Sequence, residues 1–178
     1  GNYLSSGAIY GVIDGGYGNY ISPDGRYGVI GGGQQNWITA TTAGSNLNIA
    51  TIGGGYNNKV MLGGGTVGGG NSNTASNFDA TVGGGFGNVA SGGASTVPGG
   101  NSNLAQGNTS FAAGFRAKAL NNGCFAWADS TNADFSCNTD NAFIARASGG
   151  VYFYTSGNLS TGCNIGGGSV TGWSCSSD

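Results

Sequence analysis

The chain has 178 residues, a length that suits one or two small domains. Only 7% are charged, the net charge is −2, and the five cations (Arg26, Lys59, Arg116, Lys118, Arg146) are scattered, so nucleic-acid binding has no electrostatic footing. No run of about 18 apolar residues predicts a membrane span, and 40 glycines beside 8 Tyr, 8 Phe, 3 Trp and only 2 Pro argue for built turns rather than a disordered linker.

The chain opens on GNYLSS without an initiator Met or a signal-like segment, and we expect a processed protein or a fragment. A phrase then begins to repeat. Ile13 opens IDGGYGNYI, Ile30 opens IGGGQQNWI and Ile52 opens IGGGYNNKV. Val67, Val82 and Val97 open VGGGNSNTAS, VGGGFGNVAS and VPGGNSNLAQ. Each copy carries an Asn at the same place: Asn19, Asn36, Asn58, Asn73, Asn88, Asn103. From Ile52 onward the step is a constant fifteen; the two earlier steps, Ile13 to Ile30 and Ile30 to Ile52, are seventeen and twenty-two. The extra residues fall around Ser22–Asp24 and Ala40–Asn48, where insertions leave a repeat stack as loops. Ser110–Ala119 is a degenerate copy with one residue fewer, so seven coils run from about residue 13 to 119 inside a predicted domain 1–119.

So short a coil has no room for a strand–helix unit and fits two short strands joined by glycine turns. The predicted fold is all-β, a parallel β-roll. Alternation points Ile52, Val67, Val82 and Val97 inward and Thr51, Thr66, Thr81 and Thr96 outward. At a strand spacing of about 4.8 Å, seven coils make roughly 34 Å. The asparagines stack as a ladder, each amide placed to bond the next coil's. Each coil offers one Val or Ile, one Ala and little else as core. That is thin for a free-standing roll when burial stabilises by only about 25 cal/mol per Å², and it predicts association of copies.

From residue 120 the period of fifteen is lost, and we expect a separate cap or neck over 120–178. CFAWADS reads as a strand and ADFSC as a loop. NAFIARAS and VYFYTS read as a hairpin about Gly149-Gly150. Cys124, Cys137, Cys163 and Cys175 have no CxxC and no His nearby to suggest zinc. We read two local disulfides, Cys124–Cys137 and Cys163–Cys175, and an oxidising compartment, although three pairings are open to four cysteines.

The tandem TVGGGxxNxAS phrase resembles the head repeats of trimeric autotransporter adhesins, the YadA-like head, and matching segments of phage tail fibres. The match is close over about Ile52–Ala119 and loose over Ile13–Ile38. SFAAGFRAKALNNGCFAWADS and NAFIARASGGVYFYTS resemble the segment that follows such repeats. Trp173-Ser174 and Ser177-Asp178 are similar to the junction before an endosialidase-type intramolecular chaperone domain. The resemblance implies a left-handed parallel β-roll in a homotrimer, exported, made on a chaperone that cleaves itself off at Ser177-Asp178, and working as a surface adhesin or fibre. The chain departs from the family in its cysteines and in showing no coiled-coil stalk or membrane anchor.

Other readings are weaker on physical grounds. GGGxxN as a phosphate loop would need a following helix, for which the coil leaves no room. Catalysis has few acid–base groups to draw on. His is absent, which removes a Ser-His-Asp triad. Asp129 and Asp134 are the nearest pair for glycoside hydrolysis, but solvated loop carboxylates are commoner. The aspartates lack calcium-loop spacing, and no cofactor is expected. One Thr per coil is sparse for an ice-binding face and ordinary for a strand. Arg116 and Lys118 read as a solvated transition, and Arg146 as buried at a trimer axis or paired with an Asp. We expect a non-enzymatic extracellular fibre or filament on a cell surface or virion. It would be a homotrimer, with head-to-tail stacking of trimers into filaments as a variant, because open solenoid ends expose strand edges. The alternative is a receptor-binding tip that recognises a host glycan or matrix protein, through the inserted loop Ala40–Asn48 or the spacer aromatics Tyr17, Tyr56 and Phe86.

Overall fold

A β-branched residue followed at once by glycines can sustain only a short strand, and the roll is assembled from such pieces. The computed structural model describes residues 1–39, 49–154, 162–165 and 174–176, the last two stretches by backbone alone. It divides into two units, residues 1–144 and residues 145–178.

The first unit is an all-β solenoid of about nine turns with about 15 residues per coil. Every coil gives one strand to each of two sheets, and one coil adds a further short strand, Gly100–Asn101, that pairs with Phe111–Phe115 in the second. The first sheet runs in order from Tyr3–Leu4 through Tyr20–Ile21, Trp37–Ile38, Lys59–Val60, Thr74–Ala75, Val89–Ala90, Leu104–Ala105 and Ala117–Ala119 to Phe135–Cys137. The second runs from Val12–Ile13 through Val29–Ile30, Thr51–Ile52, Thr66–Val67, Thr81–Val82, Thr96–Val97, Phe111–Phe115 and Phe125–Ala128 to Phe143–Arg146. Pairing is parallel, with Thr66, Thr81 and Thr96 in register and Thr74, Val89 and Leu104 in register. A parallel crossover needs about a dozen residues or more, and the rest of each coil, including the strand of the other sheet, supplies them.

The stack is longer than the sequence suggests at both ends. Upstream, Tyr3–Leu4 pairs with Tyr20–Ile21. Downstream, Phe125–Ala128 pairs with Phe111–Phe115, and Phe135–Cys137 with Ala117–Ala119. The coils thus continue past the expected boundary at 119/120, within a compact unit that extends to residue 144. The step shortens to fourteen at Phe111↔Phe125 and lengthens to eighteen at Lys118↔Ser136, which hides the period although the coil geometry persists. ADFSC accordingly contains a strand rather than only a loop.

The hairpin expected about Gly149-Gly150 does not form. Phe143–Arg146 joins the second sheet of the roll, whereas Val151–Tyr154 pairs antiparallel with Gly162–Ile165, which pairs antiparallel with Ser174–Ser176. The preceding coil offers Phe143 a better partner than a hairpin would, because its ring stacks on Phe125 with centroids 4.8 Å apart. In the second unit the backbone register sets Cys163 opposite Cys175. The side chains of those two cysteines, and Ser177 and Asp178, lie outside the described residues, as does the inserted loop Ala40–Asn48.

Inside the roll the pleat sorts the side chains as alternation predicts. Ile30, Ile52, Val67, Val82, Val97, Ala112 and Ala126 form one fully buried column. Ile21, Ile38, Val60, Ala75, Ala90, Ala105 and Ala119 form the facing one. Core residues shrink from Ile to Ala along the stack. The final coils add a covalent tie, the Cys124–Cys137 disulfide, buried between the two sheets.

Candidate functional site

The asparagines are the most constrained polar groups in the molecule. Asn19, Asn36, Asn58, Asn73, Asn88 and Asn103 are buried to the same degree as the valines. Each uses its amide in three directions. The Oδ1 of Asn73 accepts the backbone N–H of Asn88 at 3.0 Å. The Nδ2 of Asn88 donates to Gly84 O in its own coil at 2.8 Å and to Gly100 O in the next at 2.9 Å. Direct amide–amide bonds are the lesser part: 3.1 Å between Asn103 and Asn88, and likewise between Asn36 and Asn19. The ladder therefore ties side chain to backbone, and it satisfies turn groups that would otherwise be orphaned in the core. It begins one coil earlier than the repeat is readable, with Asn2 Oδ1 accepting Asn19 N at 3.1 Å, and ends where Ala117 N donates to Asn103 Oδ1 at 2.9 Å.

Glycine is demanded by the same turn. Gly70 has φ +85° and Gly85 φ +90°, and a Cβ on Gly70 would run into the Gly85 carbonyl of the next coil. This is why the phrase keeps its third glycine while the spacer beside it varies.

That spacer forms a surface column at the corner between the sheets. Tyr17, Gln34, Tyr56, Asn71, Phe86 and Asn101 are joined one coil to the next by parallel bridges. Their backbone groups are spoken for on both sides: Tyr56 N donates to Gly70 O at 2.9 Å, and Tyr56 O accepts Ser72 N at 2.9 Å. Phe86 repeats this with Gly100 O at 3.0 Å and Ser102 N at 2.9 Å. The three predicted ligand-surface residues thus fall on one line, each two coils from the next. All three are exposed, Tyr17 by 63%, Tyr56 by 43% and Phe86 by 52%. The amides between them were missed from the sequence, although the constant step of fifteen from Tyr56 through Asn71 and Phe86 to Asn101 carries them.

The outward residues of the second sheet form another line: Val12, Val29, Thr51, Thr66, Thr81, Thr96, Phe111, Phe125, Phe143. It carries no charge. Its last three members stack face to face, with centroids 4.6 Å apart for Phe111–Phe125. The first sheet's outward line is Tyr3, Tyr20, Trp37, Lys59, Thr74, Val89, Leu104, Lys118 and Ser136, with two cations and with Lys59 Nζ 5.5 Å from the Trp37 ring centroid.

Of the charged residues singled out in the sequence, Arg116 and Lys118 meet Asp134. Arg116 Nε donates to Asp134 Oδ1 at 2.7 Å, and Lys118 Nζ lies 3.9 Å from the same oxygen. Arg116 also reaches Asn132 Oδ1 at 3.2 Å, and Lys118 donates to Ser102 O at 2.6 Å. Asp129 accepts the backbone N–H of Thr131 at 3.1 Å. The cations thus pin the loop of the longest late coil to the roll, a role that spacing alone did not suggest. Arg146 is half-buried. Among the described residues no three His, Cys, Asp or Glu side chains cluster as metal ligands, and no helix is long and apolar enough to cross a membrane.

Comparison of the chain with models of known protein families gives no match, and comparison with curated proteins gives none either.

Proposed function

We propose that the chain is a non-enzymatic structural and adhesive subunit of an extracellular fibre, with three copies packed in parallel around an axis and each roll winding left-handed. The observation that carries this reading is the uncharged outward line of the second sheet, from Val12 to Phe143. Val12 is 44% exposed and Phe143 70% exposed in the single chain. Nine strands at about 4.8 Å make such a line about 38 Å from first to last, long enough for an interface of ordinary size. A face of Val, Thr and Phe gains by meeting its own copy, while the first sheet carries the charged Lys59 and Lys118. The resemblance of the repeats to trimeric autotransporter heads and the thin core of each coil support the same reading. Stacking of trimers into filaments is a variant of it, and the disulfide suits an oxidising, extracellular setting.

Light scattering of the purified chain tests the assembly, with three copies expected. Cysteine pairs introduced as Thr66→Cys and Thr81→Cys should cross-link copies, whereas Thr74→Cys on the first sheet should not. A stable monomer refutes the proposal. A second reading, a receptor-binding head, draws support from the exposed Tyr17, Tyr56 and Phe86.

A further inference from the structure

We infer that the corner column is a docking track for an extended, neutral, β-1,4-linked polysaccharide, held with about one sugar ring per coil. The inference deepens the adhesive part of the proposed function and is independent of its oligomeric part. Three features of the column carry it.

The first is period. Parallel strands repeat every 4.8 Å or so, so aromatic rings two coils apart stand about 9.6 Å from one another along the roll. Tyr17, Tyr56 and Phe86 are spaced in this way, with Gln34, Asn71 and Asn101 on the coils between or beside them. An extended β-1,4-linked chain turns each ring over relative to the last, so the same ring face recurs at every second sugar, a distance close to two coil rises. Aromatic faces on alternate coils meet the axial C–H face of alternate sugars. Amides on the remaining coils meet the hydroxyl-bearing edges of the sugars between. A curved α-linked chain has no such match.

The second is chemistry. Aromatic rings and primary amides are the side chains that bind a neutral sugar, the rings by stacking on C–H faces and the amides by donating to one hydroxyl and accepting from another. The column holds no charged residue from Tyr17 to Asn101. An anionic polymer would find no cation on it.

The third is rigidity. Each ring sits on a residue whose N–H and C=O are both bonded to neighbouring coils, as for Tyr56 and Phe86 above. The spacing is set by the sheets rather than by the loop, so the chain of rings is ordered before any ligand arrives. The column shares no residue with the outward line Val12–Phe143 on which the proposed interface rests, although Asn101 lies in a short strand, Gly100–Asn101, that pairs with Phe111–Phe115 of the second sheet.

Cellohexaose, titrated into the 178-residue chain by calorimetry, is the direct probe. Maltohexaose serves as the α-linked control and a hyaluronan hexasaccharide as the anionic one. Cellohexaose is expected to bind and the two controls to fail. Tyr56→Ala and Phe86→Ala should each weaken binding about five- to ten-fold, the size of one aromatic stacking contact. Tyr56→Phe keeps the ring and should bind normally, and unchanged thermal melts establish that the alanine variants fold. Absence of cellohexaose binding, equal binding of maltohexaose or hyaluronan, or indifference to Tyr56→Ala and Phe86→Ala each overturns the inference. So does a change in oligomeric state caused by those variants, which would make the column a contact between copies. Light scattering on the same samples separates the two proposals: a trimer that ignores cellohexaose sinks only the track, and a monomer that binds it sinks only the assembly.

Discussion

Replacing Asn88 by Ala isolates the contribution of one rung of the buried amide ladder. The wild-type Oδ1 accepts Asn103 N at 3.0 Å and Asn103 Nδ2 at 3.1 Å, while Nδ2 donates to Gly84 O at 2.8 Å and Gly100 O at 2.9 Å. Gly100 O keeps a partner after the change, because Phe86 N also donates to it at 3.0 Å. The backbone N–H of Asn103 is buried, and its bond to the side chain of Asn88 is lost. Three to four hydrogen bonds at about 1 kcal/mol each, with a further penalty of about 1–3 kcal/mol for the stranded donor, give a loss of roughly 4–7 kcal/mol. Asn88→Leu retains most of the volume and should cost nearly as much, which separates bonding from packing. Urea denaturation at fixed protein concentration measures it, since association shifts apparent stability. Val89→Ala, on the neighbouring outward position, should cost under about 1 kcal/mol. A loss below about 1 kcal/mol for Asn88→Ala would refute the reasoning and leave the ladder as decoration on a roll held by its sheets.

Ser95→Ala should raise stability by about 1 kcal/mol in the same assay: its Oγ is fully buried with no hydrogen-bond partner, and the coil before carries Ala80 at the equivalent place. Gly70→Ala should cost more than about 2 kcal/mol, because it forces a side chain at φ +85° into the Gly85 carbonyl; a neutral result would show that the coils can spread. Ala94, exposed at φ 51°, should gain about 0.5 kcal/mol on change to Gly, the opposite sign to the usual strand effect. Breaking Cys124–Cys137 with paired serines should cost about 3 kcal/mol, and peptide mapping without reduction should recover the linkage.

The column also shows how far single residues could be read. Tyr17, Tyr56 and Phe86 were identifiable as spacer aromatics, but not as members of one line, because the steps between the early coils, Ile13 to Ile30 to Ile52, are unequal. The Phe111–Phe125–Phe143 stack was hidden for a similar reason: its two steps are fourteen and then eighteen. Arg116 and Asp134 are 18 residues apart and meet only because the last coils bring their loop back over the roll.

What the sequence determined by itself follows from strict repetition. A period of fifteen with glycine at every turn leaves few ways to close a coil, so the parallel roll, the inward Val and Ile, the outward Thr and the stacked Asn were all legible, as was the Cys124–Cys137 bridge. The tertiary structure alone decided where the roll stops and what Phe143–Arg146 pairs with. The reason is that a strand edge left open by one coil recruits the next segment able to reach it and stack on it. That choice turns on which edges lie within reach, and local pattern cannot register it. The same logic set the direction of each amide bond: a buried Asn bonds whichever backbone groups the turn leaves unpaired, and those groups exist as neighbours only once the coils are stacked.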